Sequence, residues 1–490
     1  MKADFTRDTF DPTKHFSLVL GQQGRVTLDA DANEQAAILL RMLRALARDL
    51  IGPYAAPRDD GGFTIASAGQ HGLTITAGRY YVDGILVEND TDCLYSAQPD
   101  WPLPADDPLA AELKAPTGKI FWLYLDVWER LITSVEDPSL REVALGGPDT
   151  AARAKVVWQV KALPVDTKEW TELNRAYGRV EACAAPLDNL PSVGDAELAA
   201  RVDPGQVSDD PCTLSPAAQY RGAENQLYRV EIHLDGPAGV ATFKWARDNG
   251  SRLAAWIGNG SGPNEIAVGD SRGFAAGNWV ELSDDVTDLQ GVPGTLVRLV
   301  KVEPGTLTVD PASIPNGANV TWTPQLSNPK VRRWDQVQTG DTLLTDGAVA
   351  VREGTADAPM WLNLEDGVQI AFSPGGAYRT GDYWMIPARV ATGKVEWPSV
   401  TSPSGVVVQT PLPPFGIIHH YAPLGFVGLT SETFQFEPCR CEFDPISPCF
   451  QQASFAVGTR LLRSSQLAVT EAATRAPTRA ARARARSRNR

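Results

Sequence analysis

The sequence predicts a mainly β, multi-domain protein made of short-strand sandwich and barrel modules, with one amphipathic N-terminal helix. Gly (42) and Pro (37) are plentiful in 490 residues while long helical runs are few, a balance that favours many turns between short strands. Apolar and polar residues alternate along run after run, the period of a strand with one buried face. Asx-Gly pairs interrupt those runs, in GRYYVDGILVEN (Gly78–Asn89), LTDGAVAV, LEDGVQIAF and KWARDNGS. Such a pair suits a type I′ hairpin turn, which needs positive φ at both central residues. Asp83 therefore reads as a corner residue and not as an acid placed for chemistry.

The helix comes first. In DADANEQAAILLRMLRALARDLIGP, Asp31 is the expected N-cap and Glu34 completes a capping box. Leu39, Leu43, Leu46 and Leu50 form one stripe, Arg41, Arg44 and Arg48 face elsewhere, and Gly52-Pro53 stops the helix. Such a stripe packs on its own domain or on a neighbouring subunit, and both readings stand at this point.

Beyond Pro53 the pattern is β. Lys119–Ile132 is dense in aromatic and β-branched residues and Ala154–Val165 looks like its companion strand. The charged connection between them holds Glu136, Asp137, Arg141, Glu142, Asp149 and Arg153, and reads as a salt-bridged loop fixing how the two strands meet. Leu227–Gly250 reads as a further strand pair. GNWVELSDD and GTLVRLVKVEPGTLTVDP read as a small barrel of short strands. The expected division is an arm and helix at 1–60, a β domain at 61–225, a barrel-like domain at 226–312, a C-terminal β domain at 313–460 and a basic disordered tail at 461–490.

Charge is unevenly spread. The whole chain carries −14, yet Glu471–Arg490 holds seven Arg against one Glu, so the body is more acidic still. Phosphate repulsion argues against nucleic-acid binding except through the Arg-rich tail. No signal-peptide core or membrane span is present in the pattern, so synthesis and folding in the cytoplasm is the expectation. Six Cys are too sparse for a disulfide scaffold.

The sequence holds no Gly-x-Ser-x-Gly elbow, phosphate loop, His-Glu-x-x-His or EF-hand loop. No cofactor is expected. The one metal these residue types would suit is a structural zinc held by His419, Cys439, Cys441 and Cys449, although the Cys spacing is not that of a standard knuckle and adjacent His419 and His420 would point to opposite faces. Thirteen Trp, including Trp122, Trp128, Trp158, Trp245, Trp279, Trp334, Trp384 and Trp397, sit mostly in apolar strand patterns and read as core.

Several long stretches together resemble one family: residues 1–39, DVWERLITSVEDPSLREVALGGPDTAARAKVVWQVK, ATFKWARDNGS, VRRWDQ, LEDGVQIAF, YRTGDYWMIPARVATGKVEWP and HHYAPLGFV. The family is encoded in bacterial gene clusters for contractile injection systems, the phage-tail-like particles. The resemblance runs from Met1 to about Cys449. It implies a structural or accessory role at a baseplate, fibre or similar position, with other particle subunits as partners, homo-oligomerisation among the options, and release from the cell with the particle. It carries over no catalytic residues. The expected docking element is the N-terminal segment, joining Phe5, Phe10 and Phe16 to the Leu39, Leu43, Leu46 and Leu50 stripe, since helix-in-groove packing and strand addition both attach one chain to another. The alternatives are a glycan- or cell-surface-binding module of such a particle and a glycan or cell-wall hydrolase with unmarked carboxylates.

Overall fold

A computed structural model describes residues 1–69, 72–166, 183–191, 193–205, 219–315, 320–339, 342–401, 407–429 and 434–444. The protein is mainly β, as its alternation and turn chemistry predict. Its strands fall into three bodies that are nested along the chain.

The first body packs three sheets on one core. Four strands run in the order Glu442–Phe443, Tyr54–Pro57, Gly78–Val82 and Ile85–Asn89. Three more are Ile65–Ser67, Leu73–Ile75 and Cys93–Leu94, and a second four-stranded sheet runs Phe434–Pro438, His420–Leu429, Ile120–Ile132, Arg153–Val165. The long pair Ile120–Ile132 and Arg153–Val165 is in register over all thirteen residues. Tyr80, Val82, Val87, Leu123, Leu125, Val127, Val160 and Leu424 interdigitate between these sheets.

The second body is a six-stranded sheet, in the order Leu344–Thr345, Ala348–Ala350, Thr242–Ala246, Gln226–Leu234, Tyr383–Arg389, Lys394–Val395, facing a three-stranded one. Tyr228, Val230, Phe243, Phe372, Trp384 and Ile386 fill the space between. The third body is a closed six-stranded barrel. It opens with Leu253–Asn259 and closes with Lys330–Trp334, which pairs with both Leu253–Asn259 and Trp279–Ser283.

The expected boundaries shift accordingly. Gln226–Leu234 and Thr242–Ala246 belong to the six-stranded sheet and not to the barrel, and the barrel needs Lys330–Trp334 to close. His420–Leu429 and Phe434–Pro438 complete the first body instead of a separate C-terminal one. The barrel is thus an insertion within the second body, which is itself inserted in the first. The tail at 461–490 lies outside the described residues.

Three Asx-Gly corners turn hairpins with positive φ at both residues: Asp83-Gly84 (48° and 80°), Asp346-Gly347 (46° and 84°) and Asp366-Gly367 (47° and 83°). Asn249-Gly250 has the same backbone but links the sheet to the barrel, so there the turn passes the chain between bodies. Of the expected loop network, Asp137 and Glu142 instead cap short 3-10 turns, Asp149 accepts from Ser134, and Arg141 and Arg153 donate to nearby carbonyls. Glu136 alone turns inward.

Candidate functional site

Helix α1 spans Asp29–Ile51. It starts two residues before the expected cap: Leu28 is the N-cap, with Asp31 accepting from its N–H at 3.4 Å. Glu34 is used otherwise, accepting from Thr9 Oγ1 at 2.6 Å, and Asp29 accepts from the N–H and hydroxyl of Thr6 at 2.9 and 2.6 Å. The helix N-terminal turn thus ties down the arm. The far end stops as its sequence indicates, with Gly52 at φ 97° donating to Arg48 O at 2.8 Å.

The side of α1 that meets the protein is small and polar. Ala30 and Ile38 are buried, Arg44 forks onto Glu129 at 2.8 and 3.1 Å, and Arg48 lies 3.5 Å from Asp83. The hairpin corner presses on the helix here. A side chain at Gly84 would collide with the Arg44 carbonyl, and the Asp83 N–H donates to Pro53 O. Asp83 also accepts from His420 Nδ1 at 2.8 Å. That bond outweighs burial and holds its carboxyl below the usual range, so Asp83 is both turn residue and anchor.

The leucines face the other way. Leu39, Leu43, Leu46 and Leu50 are 51–67% exposed, flanked by exposed Leu40 and Met42. Exposed Ala32 and Ala36 extend the same seam backwards, so apolar residues follow one another at spacings of 4, 3, 4, 3 and 4. Before the helix, Phe16, Leu18 and Leu20 are exposed at alternate positions, followed by exposed Val26 and Leu28. Together these form an apolar ridge with nothing of the described chain over it. The start of the arm is spent internally. Lys2 Nζ reaches Glu231 at 2.7 Å, Asn249 Nδ2 donates to the carbonyls of Met1 and Ala3, and Phe5 and Phe10 are half-buried. Of the three expected docking phenylalanines only Phe16 is exposed.

Behind the helix lies a cleft of about 320 Å³ where the arm, the first body, the six-stranded sheet and the barrel meet. At one end Lys330 Nζ contacts Glu136 Oε1 (2.6 Å), Asp288 Oδ2 (2.7 Å) and Asp285 Oδ1 (3.3 Å), with Arg130 on Asp285. These three carboxylates have the spacing of a cation site, and the ammonium fills it. Burial pushes Glu136 up, but the Lys330 charge and the Thr133 hydrogen bonds overcome this and bring its pKa to about 2. At the other end Lys244 bridges Glu281 (2.5 Å) and Glu231 (3.4 Å), and Arg229 Nε donates to Glu231 at 2.6 Å. Burial raises both Glu231 and Glu281, yet Lys2, Arg229 and Lys244 hold Glu231 well down, and Lys244 and Lys2 bring Glu281 to about 2. Carboxylates so held stay ionised at neutral pH and are not proton donors.

The expected zinc set is not assembled. Cys439 is bonded to Cys183, which removes its thiolate, and His419 Nδ1 is on Asp126 Oδ1 at 2.7 Å. Cys441 is a half-buried free thiol, and Cys449 lies outside the described residues. The Cys183–Cys439 bridge carried no signal in sequence, because its cysteines are 256 residues apart. The two adjacent histidines do take separate partners, Asp126 and Asp83. Among the described residues no Trp is exposed and no helix is long and apolar enough to cross a membrane.

A family profile matches residues 1–177 and 187–490, and the chain belongs to that family, DUF6519, a family of unknown function. No match was found among curated proteins or among solved structures.

Proposed function

We propose that this member of the family is a structural or accessory component of a contractile injection system, a phage-tail-like particle. It docks onto other particle subunits through its N-terminal segment and leaves the cell with the particle. The observation that carries the docking reading is the ridge on α1 and the stretch before it. Contiguous apolar surface of this kind marks an interaction site, and a heptad-spaced seam fits the apolar face of another helix. The flanking Leu40 and Met42 widen the seam beyond a two-helix contact, which suits a groove or bundle on the partner. The exposed Phe16, Leu18 and Leu20 add apolar surface beside that seam. The particle assignment itself rests on the sequence resemblance. Co-purification tests it: the chain is expected in particle preparations with sheath and tube proteins, and density attributable to it is expected to vanish from particles of a deletion strain. Particles identical in composition and density with and without the gene refute the assignment.

A further inference from the structure

Among the described residues, the sheet-side end of the cleft holds more cations than its carboxylates can pair. Lys244 and Arg229 are each 2% exposed and Arg332 is 8% exposed, while Lys2 reaches in from the arm. These four share two carboxylates. Glu231 takes Lys2 at 2.7 Å, Arg229 at 2.6 Å and Lys244 at 3.4 Å; Glu281 takes Lys244, and its second oxygen accepts from the Trp334 indole at 2.9 Å. His233, 3.4 Å from Lys244, is neutral at pH 7, because burial and then that ammonium lower its pKa to about 4.

Arg332 shows the surplus most directly. It lies opposite Glu281 in the strand pair, but both oxygens of Glu281 are already taken. Its guanidinium donates to the Gly250 carbonyl, and among the described residues no carboxylate lies within ion-pair distance of it. The other end of the cleft offers no relief, since Glu129 is held by Arg44, and Glu136, Asp285 and Asp288 by Lys330 and Arg130. Buried charge without a counter-charge is costly, and a guanidinium fork is shaped to take two oxygens of one anion. All four cations line a cavity large enough for a small molecule.

We propose that the Arg332–Lys244 end of this cleft binds a small oxyanion, the phosphate or carboxylate group of a small-molecule ligand. This is independent of the docking reading, since it concerns the purified chain alone.

Isothermal titration of inorganic phosphate and, separately, of citrate into the full chain tests it. Saturable binding of one or both is expected, with a Kd on the order of 1 mM or tighter, weakening as NaCl is added. Binding of phosphate alone assigns a phosphate group, and binding of citrate alone a carboxylate. Arg332→Gln is expected to weaken binding at least about tenfold, while Arg272→Gln, on an exposed barrel loop paired with Asp270, leaves it unchanged. A crystal of the wild-type chain grown in phosphate should hold the ion against Arg332, a readout that does not depend on any variant folding. No saturable binding of either anion, unchanged affinity in Arg332→Gln, or an ion found only at surface lysines overturns the proposal.

Discussion

Replacing Lys330 by Met keeps the aliphatic stem of the side chain and removes the ammonium on which Glu136, Asp285 and Asp288 converge. Those carboxylate oxygens lie within 4.8 Å of one another, leaving Arg130 as the cation against them. The magnitude follows from Glu136. Its pKa falls from an ordinary 4.5 to about 2, the net of burial against the Lys330 charge first and the Thr133 hydrogen bonds second; at 1.36 kcal/mol per unit that net is about 3 kcal/mol, which sets the scale of the loss but is shared with Thr133. The figure agrees with the roughly 3–5 kcal/mol lost when one partner of a buried ion pair is removed. A group with a depressed folded-state pKa stabilises above its unfolded value and loses that contribution as pH falls through the folded one. The wild-type contribution is therefore full above about pH 4.5 and disappears towards about pH 2.

Urea unfolding at pH 7 and at stepped lower pH reads this directly. Lys330→Met is expected to be less stable by about 3 kcal/mol at pH 7, with the gap closing as pH falls below about 4.5. Millimolar Ca²⁺ is expected to restore part of the loss in the variant and do nothing for the wild type, whose ammonium fills the site. A variant within about 1 kcal/mol of wild type at pH 7, or a gap that widens in acid, refutes this account of the cluster.

Two further outcomes follow from the fold. Gly84→Ala places a side chain at positive φ and against the Arg44 carbonyl; a loss of about 2 kcal/mol or more is expected in thermal unfolding, with faster proteolysis near α1, and an unchanged midpoint contradicts the docked-corner geometry. Cys183→Ser opens the link that spans 256 residues and is expected to cost about 2–5 kcal/mol; reductant should cost the wild type a similar amount and leave the variant unaffected, and a wild-type midpoint insensitive to reductant is the contrary result.

What could be read in the sequence was local. Asp83-Gly84, Asp346-Gly347 and Asp366-Gly367 announced hairpins because a two-residue turn is specified by the residues in it. The Ile120–Ile132 and Arg153–Val165 pair was legible because both strands carry their own apolar pattern. Nesting was not legible: His420–Leu429 reads as a strand whatever sheet it joins, and only pairing with Ile120–Ile132 places it in the first body. The same holds for Lys330–Trp334 closing the barrel.

The cleft was not legible in the sequence for a related reason. Lys2, Arg229, Lys244, Glu281 and Arg332 come from the arm, the sheet and the barrel, so no spacing in the chain marks them. The α1 cap was misplaced because Asp29, Asp31 and Glu34 are all acceptable at a helix start. Tertiary demand decided among them when Thr6 and Thr9 claimed Asp29 and Glu34. The leucine stripe itself was plain; which way it faced depended on Ala30, Ile38 and Arg44 meeting the hairpin corner.

The leucine ridge is where the functional account is most exposed to test. A fully buried Leu contributes roughly 1.5–3 kcal/mol, and each of these is still more than half exposed, so about 1 kcal/mol apiece is left for a partner to gain. Leu39, Leu43, Leu46 and Leu50 together then represent about 4 kcal/mol, close to a thousandfold in affinity. The decisive measurement compares wild type with the quadruple Leu→Gln variant, reading the melting temperature of the purified chain and its amount in the particle fraction of the same strain. Unchanged melting with the chain lost from particles is the expected result. Lowered melting, placing those leucines in the chain's own core, or undiminished particle association contradicts it.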